Sequence, residues 1–280
     1  MTTPTFSISA STIESDARHG RRVEWLERTA GDVLALSDLY SDGHRVPEHR
    51  HNRCQLLYAR SGVVLVKTGQ GRWMVPPDHA MWIPSGVDHS VDMLGSVRMQ
   101  SVYVNPAATS GTPNGLRVVA LTDLMRSLIA EAAERAQDAA PDPRDELVMA
   151  LIVKEIPRLR ELPLGLPLPA DPKLARLCRA FVERPSPQAT IDAWADAAGM
   201  SRRSFTRAFQ RETGLSLSVW RQQACLFAAL PRLAEGVPVT GVALDLGYES
   251  VPAFTTMFRR MLGAAPRDYF RNAGAARESA

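Results

Sequence analysis

Two stretches of this chain, 48 residues apart, share one local pattern, and that repetition limits the fold more than any other feature. In ATIDAWADAAGMSRRSFTRAFQRETG, residues 189–214, Thr190 is placed to cap a helix through Ile191, Trp194, Ala195 and Ala198. Gly199 can turn the backbone with positive φ, and Ser201 can cap a second helix that buries Phe205 and Phe209 and stops at Gly214. In VPVTGVALDLGYESVPAFTTMFRRMLG, residues 237–263, Val242, Ala243 and Leu246 lead to Gly247, then Ser250, then Phe254 and Phe258. Each unit is a helix, a tight glycine turn and a second helix, the helix-turn-helix pattern. LSLSVWRQQACLFAALPRLAEG reads as a helix joining them. Such a strut is predicted to hold two recognition helices about 34 Å, one DNA turn, apart.

The second helix of the first unit exposes Arg202, Arg203, Thr206, Arg207 and Gln210. Its N-terminal end is suited to the major groove, where arginine pairs with guanine and threonine meets bases or phosphates. Residues 171–280 hold 15 Lys+Arg against 10 Asp+Glu, so the basic surplus of a chain with net charge +3 lies here. That modest surplus disfavours a non-specific architectural DNA binder relying on charge alone.

Residues 173–271 resemble the DNA-binding domain of AraC/XylS-type transcription regulators. VALDLGYESVPAFTTMFRRMLGAAPRDYF carries the most specific part: the Gly-Tyr turn, the spaced phenylalanines and the Gly263-x-x-Pro266 close. The resemblance implies that Arg203, Thr206 and Arg207 read bases in the first unit. The matching face of the second carries Ser250, Val251, Pro252, Thr255, Thr256 and Arg259. Val251, Pro252 and Thr256 offer little hydrogen bonding, so direct readout is expected from the first unit and backbone grip from Arg259 and Arg260. Two departures stand in the joining helix. Cys225 occupies a position where relatives often carry arginine, and Pro231 is expected to shorten or kink the helix, a helix-interior proline costing about 3 kcal/mol.

The first half reads as short strands: Val33–Leu39, Cys54–Arg60, Val63–Thr68, Arg72–Val75, Ala80–Ile83 and Val97–Val104. Within it, GHRVPEHRHNRCQLLYARSG (residues 43–62) spaces Gly43, His49-x-His51, Gln55 and Gly62 as in the first cupin motif, with Gln55 at the usual glutamate. DHAMWIPSGVDHSVDM resembles the second motif through Pro84-x-Gly86 and His89, with Asp78 and Met93 replacing its glycine and asparagine. The resemblance implies a small antiparallel barrel in which His49, His51, Gln55 and His89 converge. Strand alternation also places His49, His51, Arg53 and Gln55 on one face and Cys54 on the other. Three imidazoles and an amide suit a divalent metal of the zinc, nickel or iron kind. They equally suit an organic-effector pocket, with Trp82 and also Trp73 and Tyr58 as candidate walls, or an ordinary polar barrel mouth. Gln55 is a poorer ligand than glutamate, which weighs against oxygen chemistry. His19, His44 and His79 read as surface or turn residues.

Between the halves, Leu121–Gln137 and Arg144–Leu159 show helical apolar spacing, and ELPLGLPLPADP, residues 161–172, reads as a proline-rich linker. The expected architecture is therefore multidomain α+β. An N-terminal antiparallel β-barrel, cupin-like and effector-sensing, spans 20–105. A helical coupling and dimerisation segment spans 116–160, the linker 161–172, and an all-α double helix-turn-helix domain 173–273. The expected function is that of a sequence-specific regulator binding a double-stranded DNA operator. It would answer to a small-molecule or metal effector, form a homodimer, and contact RNA polymerase if it activates. The alternative is a cupin-type metalloenzyme, an oxygenase or isomerase, with a helical appendage. Cys54, Cys178 and Cys225 form no disulfide framework, Met1–Ala10 lacks a signal-peptide pattern, and no run spans a membrane, so a cytoplasmic protein is expected.

Overall fold

The computed structural model describes residues 20–109, 111–134 and 142–269. It opens on a helix the sequence reading did not foresee, α1, over residues 20–28. Nine strands follow in one antiparallel sheet: β1 (Val33–Tyr40), β2 (Arg45–His49), β3 (Cys54–Thr68), β4 (Gly71–Val75), β5 (His79–Ile83), β6 (His89–Val104), β7 (Arg117–Ala120), β8 (Arg160–Leu162) and β9 (Gly165–Pro167). The two strands expected at Cys54–Arg60 and Val63–Thr68 are one continuous β3, which pairs with β6 along nearly its whole length.

The expected barrel is not closed. The hydrogen-bonded path runs β1-β6-β3-β5-β7-β8, with β2 on β6, β4 on β3 and β9 on β4, leaving β1 and β8 as ends. The register of β3 against β6 shifts on both sides of Ser61, and Gly62 has φ +72. Extra residues of this kind bend a strand. A Cβ on Gly62 would come within 2.6 Å of Val97 Cγ2, so only glycine fits the close approach. The long strands thus fold the sheet over its own core without completing a hydrogen-bonded ring.

The run Leu56–Leu57–Tyr58–Ala59 is apolar throughout because both faces of β3 are covered. Leu57 and Ala59 join Val64, Val66, Met81 and Ile83 inside the folded sheet. Cys54, Leu56 and Tyr58 face a second cluster made with α2 (Asp123–Glu134) and α3 (Pro143–Glu155). Asp142 caps α3 by accepting from the amides of Arg144 and Asp145. Residues 135–137 of the expected first helix lie outside the described residues.

The proline-rich stretch is not a free tether. It supplies β8 and β9, with β9 pairing β4 through Arg72↔Leu166. Pro163 falls between the two strands and Pro167 ends β9, positions where a missing amide proton costs little. Gly165 lies against Trp73, where a Cβ would sit 2.8 Å from the indole nitrogen.

The last part is all helix: α4 (Pro172–Glu183), α5 (Ile191–Ala198), α6 (Arg202–Thr213), α7 (Leu217–Ala234), α8 (Val239–Asp245) and α9 (Val251–Leu262). Helix α7 runs through Pro231 to Ala234 instead of stopping short, and the proline sits in its final turn. Trp220 of α7 donates from its indole to Pro167 O at 2.7 Å, and Tyr269 stacks on His79 with ring centres 5.7 Å apart. Both contacts join the helical part to the sheet. Cys225 is buried in α7, and burial raises its thiol to about 11. Among the described residues no helix is long and apolar enough to cross a membrane.

Candidate effector pocket and DNA-reading face

His49 ends β2 and His89 begins β6, and the two stand opposite each other in the ladder. His51 lies in the turn before β3, and its carbonyl accepts the amide of Gly86 at 3.0 Å. This bond ties the two histidine-bearing stretches together. Gly86 has φ +75, the left-handed geometry that lets the Pro84–Gly86 turn present that amide. The ring centres are 4.3 Å (His49–His89), 5.3 Å (His51–His89) and 6.1 Å (His49–His51) apart, and one ligand atom from each lies within 4.8 Å of the others.

All three imidazoles use Nδ1 in the same way. His49 Nδ1 lies 2.9 Å from Pro47 O, His51 Nδ1 2.6 Å from Arg53 O, and His89 Nδ1 2.8 Å from Val87 O. A carbonyl can only accept, so Nδ1 carries the proton in each ring and Nε2 keeps its lone pair. Desolvation by burial holds His49 and His51 below the ordinary imidazole range, favouring the neutral form. Gln55, almost fully buried, lies 3.1 Å from His51 Nε2 and also touches Ser101 Oγ at 3.0 Å and Tyr103 OH at 3.1 Å. In the structure the Gln55 amide nitrogen donates to both hydroxyls and its Oε1 faces His51 Nε2; a proton on Nδ1 of His51 calls for the amide turned over, with its NH2 donating to that Nε2.

The enclosed space is only about 20 Å³, roughly one water. Leu26 and Val23 of α1 cover it, and Arg22 pairs with Asp38 beside it. Arg53 does not share the face of Gln55. Residues 50–53 are not strand, so alternation does not apply. The guanidinium instead donates to Leu26 O (3.1 Å), Thr29 O (2.7 Å) and Gly31 O (2.8 Å), closing the C-terminal end of α1.

Trp82, expected in the pocket, is not there. Gln55 pairs with Ile83 and Leu56 with Trp82, so Trp82 takes the opposite face. It packs in the cluster under α2 and α3, and its indole donates to Pro113 O at 2.8 Å. Trp73 is core and Tyr58 also faces away from the histidines. His44, expected at the surface, is buried and stacked on Tyr40, and His79 is half-buried. His19 lies outside the described residues. Cys54, Cys178 and Cys225 are free, buried thiols, and burial raises all three, Cys178 to about 12. Residues 20–28 carry a charged face with little apolar period, so the sequence gives α1 no strong helical signal.

At the other end of the chain, Thr190 caps α5 by accepting from Ala193 N, and Gly199 closes it with φ +67. Ser201 then caps α6 and Ser250 caps α9, each accepting from the amide three residues on. Phe205 and Phe209, and Phe254 and Phe258, are buried as pairs. Arg203, Thr206, Arg207 and Gln210 are exposed along α6, and Arg202 is exposed but 3.5 Å from Asp192. On α9, Pro252, Thr256 and Arg259 are exposed, whereas Val251 packs against the core and Thr255 is half-buried. Arg260 donates to Gln222 of α7 at 2.6 Å, bracing the helix.

The profile described as an AraC-like ligand binding domain matches residues 33–152, and a helix-turn-helix domain profile matches residues 194–272. The HTH-type transcriptional regulator NimR of Escherichia coli K12 is 33% identical over 80% of this chain and 81% of its own length. RipA of Corynebacterium glutamicum, another HTH-type regulator, is 34% identical over 37% of this chain and 31% of its own. Among solved structures, ToxT of Vibrio cholerae is similar at TM-score 0.36 and 9% identity, over 85% of this chain and 98% of that one. The two family profiles and the match to NimR over four fifths of both chains agree: the chain belongs to the AraC family, DNA-binding helix-turn-helix transcription regulators with an N-terminal ligand-binding domain.

Proposed function

We propose that this regulator senses a divalent transition metal through His49, His51 and His89, with Gln55 as the neighbouring switchable group. The observation that carries the reading is that one ligand atom from each of the three rings lies within 4.8 Å of the others, with every Nδ1 on a backbone carbonyl and Gln55 against His51 Nε2. Metal-binding imidazoles are oriented in this way. A 20 Å³ space also suits an ion better than an organic effector.

Three nitrogens each about 2.1 Å from one ion lie roughly 3–3.5 Å apart. The present spread of up to 4.8 Å must therefore contract on binding. Contraction turns the imidazoles and moves the turn that carries His51 and Arg53, which holds α1, so the bound and free arrangements differ, as regulation requires. Trp220 on Pro167 and Tyr269 on His79 are the contacts through which such a shift reaches the helices.

On DNA, Arg203, Thr206 and Arg207 supply base readout, with Arg202 and Gln210 beside them, while Ser250, Pro252, Thr256 and Arg259 hold the second site. Val251 and Thr255 contribute packing. The protein works in the cytoplasm on a double-stranded operator, with RNA polymerase as partner where it activates. Leu147 and Leu151, one turn apart and 72% and 39% exposed on α3, supply the contact of a two-fold homodimer.

The test is competition for Zn²⁺ and Ni²⁺ against a coloured chelator, run with operator binding by fluorescence anisotropy. Wild type should bind one ion per chain and change its operator affinity with it. His51→Ala and His89→Ala should lose at least ~100-fold in metal affinity. Equal metal uptake by wild type and the double variant sinks the reading.

A further inference from the structure

Successive residues of β3 and β6 point to opposite faces, so the strands that carry the histidine pocket also wall a second space behind it. Ser101 and Met99 face the histidines, whereas Gln100 and Arg98 line a cleft of about 580 Å³ between the outer face of the sheet and α2. That size suits a small organic molecule. Tyr58, Arg60 and Ser61 come from β3, and Arg126 and Ser127 from α2.

Three observations mark the cleft as built to hold something. Gln100 is 4% exposed, yet among the described residues its Oε1 has no hydrogen-bond partner. A buried acceptor left this way is costly unless a water or a ligand donates to it. Asp78, which replaces the glycine of the cupin-like spacing, keeps φ +63 while accepting from Tyr58 OH at 3.2 Å. Among the described residues it is the one non-glycine with positive φ, in the turn that His79 N closes on Pro76 O at 3.2 Å. Three arginines line the cleft against one carboxylate. Arg126 is already committed to Leu121 O and Asp123, which leaves Arg60 and Arg98 to meet a charge from outside.

We propose that this cleft is a second effector site, for a small organic anion that also carries a hydrogen-bond donor. The carboxylate lies on the Arg60 and Arg98 guanidiniums, and a hydroxyl or ammonium group donates to Gln100 Oε1, with Asp78 alongside. Occupancy joins β3 and β6 to α2 across the cleft, so the ligand acts from the face opposite the metal. The proposal stands apart from the histidine reading, since no residue is shared.

L-malate, L-aspartate and succinate share one four-carbon skeleton and differ by a hydroxyl, an ammonium and a hydrogen. Titration calorimetry of the full chain in metal-free buffer at fixed ionic strength should rank malate or aspartate at least ~10-fold above succinate. Malate ahead identifies hydroxy acids; aspartate ahead identifies amino acids. Gln100→Leu should bring the ratio to about one. Arg60→Ala/Arg98→Ala should weaken all three at least ~10-fold while leaving zinc affinity at the histidines unchanged. The proposal is overturned if none of the three binds more tightly than sulfate, if succinate matches the other two, or if the arginine variant binds like wild type. Zinc binding that survives any of these results separates this failure from that of the metal reading.

Discussion

The two halves of the molecule put their polar chemistry in opposite places. In the sheet half, His44, His51, Gln55, His89, Gln100 and Ser101 are buried; in the helical half only Thr213 and Gln223 are, among the described residues. The helical half instead keeps Arg203, Arg207 and Arg259 in water around cores of paired phenylalanines. A buried polar group discriminates through desolvation, because a wrong or missing partner is expensive. An exposed arginine discriminates weakly until a second surface arrives, and its attraction is screened by salt. Protons should therefore disturb the sheet half and salt the contacts of the helical half.

The largest effect should come from the dry cores of the helical half. Phe209→Ala and Phe258→Ala each remove a ring that is 0–1% exposed. Each should cost about 3–5 kcal/mol in urea unfolding followed by circular dichroism. The two losses should be alike, since the units repeat the same packing. A much smaller loss at Phe258 would show that the second unit is loosely built and that the repetition in sequence is not one in energy.

Next in size is the loss of base readout. Arg203→Ala and Arg207→Ala should each weaken operator binding by about 1–3 kcal/mol and relax the sequence preference at one position. Fluorescence anisotropy on operator and scrambled duplexes separates the two effects. Unchanged affinity and preference in both variants would move direct readout away from α6.

Much of the helical half was legible from sequence because its signals are local. Thr190, Ser201 and Ser250 cap, Gly199 and Gly214 turn with positive φ, and the phenylalanines lie one turn apart. The sheet half depends on register between distant strands. The histidines converge, which the resemblance to the cupin motifs implied, yet Trp82 falls on the other face through its pairing with Leu56. Arg53 leaves the pocket because the alternation invoked for it begins only at Cys54. The proline-rich stretch becomes β8 and β9 because open edges remain for it to pair with, which no local pattern announces. Gln100 belongs to no motif, and only the folded sheet leaves its buried oxygen without a partner among the described residues.

The proton handle should be smaller and graded. Burial lowers the folded-state pKa of His49 and His51 below the unfolded value near 6.5. Below that value the unfolded chain binds more protons than the folded one, so stability rises with pH. The contribution is complete above about pH 6.5 and is lost as pH falls through the lowered pKa values. Urea midpoints should drop between pH 7.5 and 5.5 in wild type, and His49→Gln/His51→Gln should flatten the profile. An equally steep profile in the variant would place the acid sensitivity elsewhere.

The smallest expected change sharpens the contrast most, because it asks what an exposed arginine does when it reads nothing. Arg259 lies on α9 beside side chains with little hydrogen-bonding capacity, Pro252 and Thr256. If it holds a phosphate, Arg259→Ala should weaken operator and scrambled duplex by the same factor, with the slope of log K against log salt falling by about one. Arg203→Ala should instead hurt the operator more than the scrambled duplex. The two arginines have the same charge and similar exposure, so any difference between them comes from the surfaces around them. If Arg259→Ala altered sequence preference as Arg203→Ala does, the division of labour between the units would fail. The helical half would then read DNA through both grooves equally, despite the apolar residues at the start of its second recognition helix.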